Sequence, residues 1–282
     1  MFLIKGLEPT TSVFPDKEHN ITFQKSIVDY ITNDWYDTVR MSWRFDSNEE
    51  IMDLGIIIDL IATYTKKDIT ITIPFLPYSR MDRHEEGKHN AFSLQVLGGI
   101  LESFQLSVPN VVNIITLDVH NSEALPECIT NRNDIIDLIA NNIPAYKLKN
   151  MLLVLPDKGS KRRYKDDVVK YFGAEHVIGE KQRDFDTHKI TKYTLPDTVD
   201  YSSYKEALIV DDIISYGGTF IKLIDTLHEK GITDITLVTS HAEDALWRGD
   251  LTTIKGLKII TSNSLTTHPS TGNVTVDQSY FN

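Results

Sequence analysis

The chain has 282 residues, and 29 Lys and Arg against 40 Asp and Glu give a formal net charge of 29 − 40 = −11 at pH 7. This acidic balance argues against a nucleic-acid partner, which usually binds a basic surface. The single cysteine, Cys128, excludes an intramolecular disulfide framework and fits a reducing compartment, so we expect a cytoplasmic protein. No apolar run approaches the ~20 residues of a membrane-spanning helix, and the first residues lack a secretory pattern, so no membrane partner is expected.

The first half of the chain alternates between helix-like and strand-like patterns. Apolar residues recur at spacings of three and four over residues 48–64, which predicts a helix, and a second helix is predicted over 91–105. Strands are predicted over Asp68–Phe75, where Ile and Thr alternate, and over Val111–Leu117. The polar stretch Tyr78–Asn90 predicts a loop.

The same alternation returns in the second half. The predicted strands are Met151–Leu155, Ala207–Val210, Ile235–Val238 and Leu257–Ile260, and the predicted helices are Asp166–Phe172 and Phe220–Lys230. Strands separated by helices indicate βαβ units and a mostly parallel sheet. Two such series predict two similar α/β halves. Segment 141–150 has few periodic apolar residues, which places the boundary there and gives domains 1–145 and 146–282.

Polar side chains follow directly after several of the predicted strands. They are Asp118, His120, Asp157, Asp211 and Asp212. One acid in such a place could simply cap a helix. Because ligands of open parallel sheets bind at the carboxyl ends of the strands, the repetition predicts a ligand site at that edge.

The segment Leu208–Thr219 combines an apolar strand, two acids and a Gly-Gly-Thr turn before a predicted helix. The glycines let backbone N–H groups approach an anion, the threonine can donate a hydroxyl, and the helix start favours phosphate. The acids, Asp211 and Asp212, are acceptors suited to the vicinal hydroxyls of a sugar. The segment can therefore hold a phosphorylated pentose at both ends, although a plain turn with a capped helix is the alternative.

This segment resembles the phosphoribosyl-binding loop of the type I phosphoribosyltransferases and of the ribose-phosphate diphosphokinases (PRPP synthetases). Further matches, in family order, favour the diphosphokinases. They are Asn48–Leu54 (family pattern Asn-Asp-x-Leu-Met-Glu-Leu), Pro77–Arg83 (Pro-Tyr-x-Arg-Gln-Asp-Arg), Thr116–His120 (Thr-x-Asp-Leu-His), Leu155–Arg162 (Ser-Pro-Asp-x-Gly-Gly-x-Lys-Arg), Lys181–Arg183 (Lys-x-Arg) and Thr261–Ser264 (Thr-Asn-Thr-Ile). Phe14–Glu18 is similar to the family's Phe-x-Asp-Gly-Glu hairpin, with Lys17 in place of glycine.

The resemblance implies an α/β fold of two similar phosphoribosyltransferase-like halves, each with a mostly parallel sheet flanked by helices. It implies transfer of the diphosphoryl group of ATP to O1 of ribose 5-phosphate, giving PRPP and AMP, with Mg²⁺ as cofactor. Such transfers depend on positioning and charge neutralisation. Because family ATP sites are completed across subunits, the resemblance also implies a homo-oligomer, either a dimer or a hexamer.

The resemblance assigns roles to individual positions. ATP binding is expected of Phe14, Asp16, Glu18, Arg80, Met81 and Asp82. Ribose 5-phosphate binding is expected of Asp211, Asp212, Ser215, Tyr216, Gly217, Gly218 and Thr219. His120 and Asp157 resemble the magnesium-site pair, and Lys181 and Arg183 resemble the catalytic pair of a mobile loop that closes over the diphosphate.

Plainer roles remain open for several of these residues. They are a surface turn for Phe14–Glu18, a salt-bridged loop for Arg80 and Asp82, a structural histidine for His120, and a solvated pair for Lys181 and Arg183.

Some positions depart from the family pattern. Ser215-Tyr216 replaces Asp-Thr, Met81 replaces glutamine, and Lys158 and Ser160 replace small residues. Two other functions therefore stay open. A phosphoribosyltransferase that uses PRPP with a nitrogenous base would share the Gly-Gly-Thr loop but needs no ATP residues. A catalytically weak regulatory homologue would bind nucleotide with little turnover.

Overall fold

Each half of the chain folds around its own sheet and its own apolar core. The structure, a computed structural model, describes residues 1–84, 87, 89–173, 175–183 and 190–281. Its contacts divide the chain into two units, Met1–Arg132 with the chain end from Tyr280, and Asn133–Ser279. The two predicted α/β halves thus correspond to two separately packed bodies.

The first unit is built on a five-stranded sheet. The strands of this unit are β1 (Phe2–Ile4), β2 (Thr10–Val13), β3 (His19–Thr22), β4 (Thr38–Trp43), β5 (Asp68–Ile73), β6 (Val112–Leu117) and β7 (Ile129–Arg132), and its helices are α1 (Lys25–Thr32), α2 (Glu49–Tyr64) and α3 (Ser93–Ser107). The sheet order is β1-β4-β5-β6-β7, with β4 to β7 parallel and β1 antiparallel to β4. The strands β2 and β3 form a separate antiparallel ribbon.

The core of the first unit follows the predicted periodicities. In β5 the alternating isoleucines are fully buried, whereas Thr70 and Thr72 between them are half-buried. On α2 the predicted apolar stripe faces the same core, with Ile58 and Ile61 fully buried. A strand with one buried face and a helix with one apolar stripe stabilise each other by removing apolar area from water. The predicted helix and strand are confirmed here.

The second unit is built on a six-stranded sheet in which every pairing is parallel. Its strands are β8 (Met151–Leu155), β9 (His176–Ile178), β10 (Glu180–Arg183), β11 (Ile190–Thr194), β12 (Glu206–Ile214), β13 (Asp234–Ala242), β14 (Leu257–Ser262) and β15 (Val274–Asp277), and its helices are α4 (Ile135–Asn142), α5 (Ala145–Leu148), α6 (Lys158–Tyr164), α7 (Lys170–Phe172) and α8 (Gly218–Glu229). The sheet order is β15-β14-β13-β12-β8-β9. The strands β10 and β11 pair antiparallel as a ribbon outside this sheet.

The central strand β12 is longer than the sequence indicates. The prediction ends it at Val210 and places the two acids after it, but Asp211 and Asp212 lie within the strand. Pairing with β8 stops at Ile209, while pairing with β13 continues to Ile214. The acids therefore lie where the sheet has lost one neighbouring strand, near its carboxyl edge, although both are buried.

The helical segment after β8 also differs from the prediction, which begins it at Asp166. The chain is helical from Lys158, continues through wider π-type turns over Lys165–Val169 and ends after Phe172, where Gly173 has a left-handed conformation. A basic run does not show the apolar periodicity that identifies a helix in a sequence. Among the described residues, no helix is long and apolar enough to cross a membrane.

The division between the units falls earlier than the predicted boundary at residues 145 and 146. Helix α4, which the prediction assigns to the first domain, contacts β13 and β14 of the second unit. Its buried residues Ile135, Leu138 and Ile139 supply the reason, because an apolar stripe must pack against some core. A composition change in segment 141–150 marks the short loops around α5 and not the division.

Candidate active site

Two adjacent carboxylates and one arginine form a buried charged cluster in the second unit. Asp211 and Asp212 lie near the end of β12, and Arg163 lies in the last turn of α6. Arg163 Nη2 donates to Oδ1 of Asp211 and to Oδ1 of Asp212, both at 2.8 Å. The Arg163 side chain is 11% exposed, and those of the two acids are 12% and 5% exposed. One guanidinium thus neutralises part of the charge of both carboxylates.

The pKa values of Asp211 and Arg163 are both raised, for different reasons. Burial and then the adjacent Asp212 carboxylate raise the pKa of Asp211 well above its ordinary value, although the Arg163 guanidinium opposes that rise. The two carboxylates raise the pKa of Arg163 further and outweigh its burial. Arg163 therefore keeps its charge at every physiological pH.

A second ion pair joins the end of β8 to the ribbon. Lys181 Nζ on β10 is 2.5 Å from Oδ2 of Asp157, and the other carboxylate oxygen accepts from the backbone N–H groups of Gly159 and Ser160 at 2.7 and 3.0 Å. Burial acts to raise the pKa of Asp157, but the Lys181 and Ser160 hydrogen bonds outweigh it and the pKa lies below its ordinary value. Asp157 is therefore a carboxylate at neutral pH.

A tyrosine of the ribbon binds the backbone at the end of β8. Tyr193 on β11 is opposite Lys181 in the ribbon, and its hydroxyl donates to the carbonyl oxygen of Pro156. A Cβ at Gly179 would lie 2.0 Å from the Tyr193 hydroxyl oxygen, so only glycine fits there. Burial, followed by the charges of Asp157 and Asp211, raises the pKa of Tyr193, which keeps it a donor.

The Gly-Gly-Thr turn leads into a helix as predicted. Gly217 has φ +82 and precedes α8, which begins at Gly218. A Cβ at Gly217 would lie 2.7 Å from Leu251 Cδ2, so both its conformation and its surroundings require glycine. The N–H groups at the start of a helix of this length can bind an anion.

The other predicted sugar-phosphate residues lie on the same loop. Ser215 and Thr219 are half-buried, and Tyr216 is 59% exposed with its ring centroid 6.0 Å from the Arg248 guanidinium carbon. Asp211, Asp212 and Ser215–Thr219 thus occupy one strand, one loop and one helix start. Their ligand roles stay predictions.

The predicted catalytic pair lies in strand β10, where the sequence predicts a loop. Lys181 is half-buried against Asp157. The backbone of Arg183 ends the strand, and its side chain is outside the described part of the structure. Residues 184–189, which connect β10 to β11, are also outside it, so closure of a mobile loop stays a prediction.

In the first unit, the residues predicted to bind ATP lie in two places. Phe14, Asp16 and Glu18 are exposed in the turn between β2 and β3. The Phe14 N–H donates to the Glu18 carbonyl at 2.8 Å, and the Lys17 N–H donates to the Phe14 carbonyl at 2.8 Å. Lys17 has φ +73, the conformation for which the family's glycine is suited.

The second group of predicted ATP residues follows β5. Arg80 and Met81 are exposed, but Asp82 is buried and accepts hydrogen bonds from Arg83 at 2.6 and 2.8 Å and from Asn121 Nδ2 at 2.6 Å. Asp82 therefore has the internal ion pair that the sequence leaves open as an alternative. Its direct contact with nucleotide stays a prediction.

The predicted magnesium-site residues belong to different units, His120 to the first and Asp157 to the second. His120 is half-buried just after β6. Among the described residues, no group of three or more His, Cys, Asp and Glu is placed to hold a metal ion. One carboxylate with a lowered pKa fits Mg²⁺, because this ion binds one or two protein carboxylates and completes its shell with water and substrate phosphates.

Sequence reasoning missed Arg163. The family pattern set against the stretch Leu155–Arg162 has nine positions, so counted from Leu155 its last position falls on Arg163, but the residue continues a basic run, a pattern typical of a solvated helix face. Its burial depends on the packing of α6 beside β12, which no local pattern reports. Asn121 was missed for a similar reason, because its partner Asp82 is far away in the sequence.

Acidic acceptors beside a glycine loop and a helix start lie together in an α/β protein, as the sequence predicts for a phosphorylated-sugar site. A sequence model described as the N-terminal domain of ribose phosphate pyrophosphokinase matches residues 4–103. A ribose-phosphate pyrophosphokinase of Pyrococcus abyssi is 33% identical over 207 residues, which cover 71% of this chain and 68% of the relative. A ribose-phosphate pyrophosphokinase of Sulfurisphaera tokodaii is 29% identical over 262 residues, which cover 92% of this chain and 84% of the relative.

A solved phosphoribosylpyrophosphate synthetase from Mycobacterium smegmatis has the same fold. Its TM-score is 0.71 at 21% identity, and the match covers 95% of this chain and 85% of that one. At this identity the likeness establishes the fold, and it confirms the predicted α/β class. With the sequence relatives, it places the protein plainly: the chain belongs to the ribose-phosphate pyrophosphokinase family, which is also called the ribose-phosphate diphosphokinase family.

Proposed function

We propose that the chain transfers the diphosphoryl group of ATP to O1 of ribose 5-phosphate, giving PRPP and AMP. The observation that carries this proposal is the sequence Asp211–Thr219 folded as a strand end, a glycine loop and a helix start, in a chain of this family. The carboxylates accept hydrogen bonds from vicinal sugar hydroxyls, and the N–H groups at the start of α8 bind the 5-phosphate.

The reaction forms a bond between O1 of the sugar and the β-phosphorus of ATP and breaks the bond between that phosphorus and the oxygen bridging to the α-phosphate. AMP leaves with the bridging oxygen, and the proton of the anomeric hydroxyl passes to solvent. Lys181 supplies positive charge to the diphosphoryl group in transit, and Arg183 has the same role by resemblance. Binding two substrates in line supplies much of the rate.

Mg²⁺ is the proposed cofactor: Asp157 would hold it together with substrate oxygens and water, and a role for His120 rests on the resemblance alone. Its chemistry is to offset the negative charge of the ATP phosphates. Lys181 already binds Oδ2 of Asp157, so a cation at that oxygen would compete with the lysine. The nucleotide is proposed to contact Arg80, Met81 and the hairpin turn. A cytoplasmic homo-oligomer, dimer or hexamer, is the proposed state.

Product analysis tests this function. The purified chain is incubated with ATP, Mg²⁺ and ribose 5-phosphate, and nucleotides and sugar phosphates are resolved. AMP and PRPP appearing in equal amounts, only when the sugar is present, would support it. Tight ATP binding without AMP would favour a regulatory homologue. PRPP consumption with a nitrogenous base, without ATP binding, would favour a phosphoribosyltransferase.

A further inference from the structure

Arg163 contacts both acids of the proposed sugar site, and it is not among the residues to which the resemblance assigns a role. A single nitrogen, Nη2, lies 2.8 Å from Oδ1 of Asp211 and 2.8 Å from Oδ1 of Asp212. Neighbouring residues of a strand ordinarily direct their side chains to opposite faces. Here both carboxylates are turned toward one donor, so their orientations are linked.

This linkage has a cost that a purely structural role does not explain. Burying three ionisable groups is expensive, and well-packed apolar residues are often as stable in their place. Asp211 and Asp212 nevertheless lie buried at the carboxyl edge of a parallel sheet, where such folds bind ligands. A charged triad in that place is consistent with preorganisation for a ligand.

Resting on the proposed function, we propose that Arg163 is a positioning residue that sets the Asp211 and Asp212 carboxylates to receive the vicinal hydroxyls of ribose 5-phosphate. Arg163 Nη2 donates to Oδ1 of each carboxylate, and the two oxygens of an ionised carboxylate together offer about four acceptor sites. Each acid can therefore bind the arginine and a sugar hydroxyl at once. With both side chains fixed beforehand, less conformational entropy is lost on binding.

Hydroxyl recognition distinguishes this role from a structural one. A site built to bind a hydroxyl rejects an analogue that lacks it, because its acceptor is left unpaired. The intact protein should therefore prefer ribose 5-phosphate to 2-deoxyribose 5-phosphate. If Arg163 positions the acceptors, its removal should reduce this preference, whereas a general structural defect would weaken the binding of both sugar phosphates equally.

The test compares Arg163→Met, Arg163→Lys and the control Lys170→Met, which removes an exposed cation from α7 of the same helical segment. Calorimetric titration measures the affinity of each full-length protein for the two sugar phosphates, and steady-state kinetics measures KM for ATP and ribose 5-phosphate. Thermal unfolding checks that each variant is folded.

In Arg163→Met we expect KM for ribose 5-phosphate to rise about ten- to a hundredfold, since two buried carboxylates lose their cation. KM for ATP should change less than about threefold, and preference for the 2-hydroxyl should fall about tenfold. Arg163→Lys should recover part of that preference because it restores the charge. Lys170→Met should have the same KM values and the same sugar preference as the wild type.

Equal rises in both KM values, with the sugar preference unchanged in folded Arg163→Met, would overturn the proposal. If that variant does not fold, Arg163→Lys decides: an unchanged preference overturns the role, and a reduced one supports it. The titrations need no turnover. A wild type that binds both sugars but makes no AMP would therefore refute the proposed function. The role of Arg163 would still be decided by the ratio of the affinities for ribose 5-phosphate and 2-deoxyribose 5-phosphate.

Discussion

Lys17 has a backbone conformation that disfavours any residue with a Cβ. Its φ of +73 lies in the left-handed region, in an exposed turn closed by the 2.8 Å bond from the Phe14 N–H to the Glu18 carbonyl. Such a conformation costs a residue with a Cβ about 1–2 kcal/mol. Glycine avoids this cost, but it loses more conformational entropy on folding, so the net gain from a glycine here is smaller. The turn is therefore held by its hydrogen bonds and not by its residue type.

We predict that Lys17→Gly raises the free energy of local opening by about 0.5–1 kcal/mol. Hydrogen exchange of the Phe14 amide measures this. Lys17→Ala is the matched control, because it removes the charge but keeps the Cβ, and it should show no gain. Equal protection in the two variants would contradict the strain assigned to Lys17.

Asp82 is stabilised as a carboxylate by Asn121 and Arg83. Burial opposes the charge, but the hydrogen bonds from Arg83 and Asn121 outweigh burial and lower the pKa of Asp82. Stability from a lowered pKa is present above the unfolded value of about 3.9 and is lost as pH falls through the folded one. The contribution of this network should therefore disappear in acid.

We predict that Asn121→Ala lowers the free energy of unfolding by about 1.5–3 kcal/mol at pH 7, because a buried charged acceptor loses a donor. The difference from the wild type should shrink below about pH 4. Denaturant titration at both pH values measures it, with the exposed Asn113→Ala as control. A pH-independent difference would argue against a role through the Asp82 charge.

At the residue scale, local pattern identified some positions and not others. Asp211, Asp212 and Gly217 lie in one continuous segment, so a loop motif indicates them directly. Arg163 acts on that segment across 48 positions of sequence. Its partners are set by tertiary packing, which the local sequence does not encode.

At the element scale, the start of α8 depends on one glycine. Gly217 has φ +82 and lies against Leu251, whereas nothing lies within 4 Å of a Cβ placed at Gly218. We predict that Gly217→Ala lowers the free energy of unfolding by about 1–2 kcal/mol or more. Gly218→Ala should leave thermal stability equal or higher, since alanine favours a helix. Equal losses in the two variants would contradict this account of the turn.

The ribbon of β10 and β11 carries the proposed catalytic lysine. We predict that Lys181→Ala lowers kcat about a hundredfold or more, as expected when a donor to developing charge is removed. The control is Lys192→Ala, an exposed lysine of β11 on the same ribbon. AMP formation measures both, and unfolding should show both proteins folded. An unchanged kcat in Lys181→Ala would refute its role.

The sequence predicted which helices and strands are present better than the residues at which they begin and end. Strand β8 agrees with its prediction at both ends, because it is a continuous apolar run between Asn150 and Pro156. β12 extends past its apolar run, since the backbone continues to pair with β13 at Asp211 and again at Ile213 and Ile214. Backbone hydrogen bonds to the adjacent strand decide where a strand ends, and the pattern of apolar and polar side chains does not indicate those bonds.

At the scale of the whole molecule, the duplicated strand and helix series correctly indicated two bodies. Each has its own buried cluster, and each contains part of the predicted machinery. The boundary differed because α4 packs on the second core although it directly follows the last strand of the first unit. Sequence order does not determine which of two cores an amphipathic helix covers.

The whole-molecule claim is diphosphoryl transfer, and isotope tracing tests it most directly. The chain is supplied with Mg²⁺, ribose 5-phosphate and ATP labelled with ³²P at the β- or the γ-phosphorus, and the sugar product is isolated. The account predicts that both labels appear in the sugar product in equal yield, with unlabelled AMP released. Label from the γ-position alone, or release of either label as inorganic phosphate without a labelled sugar, would contradict it.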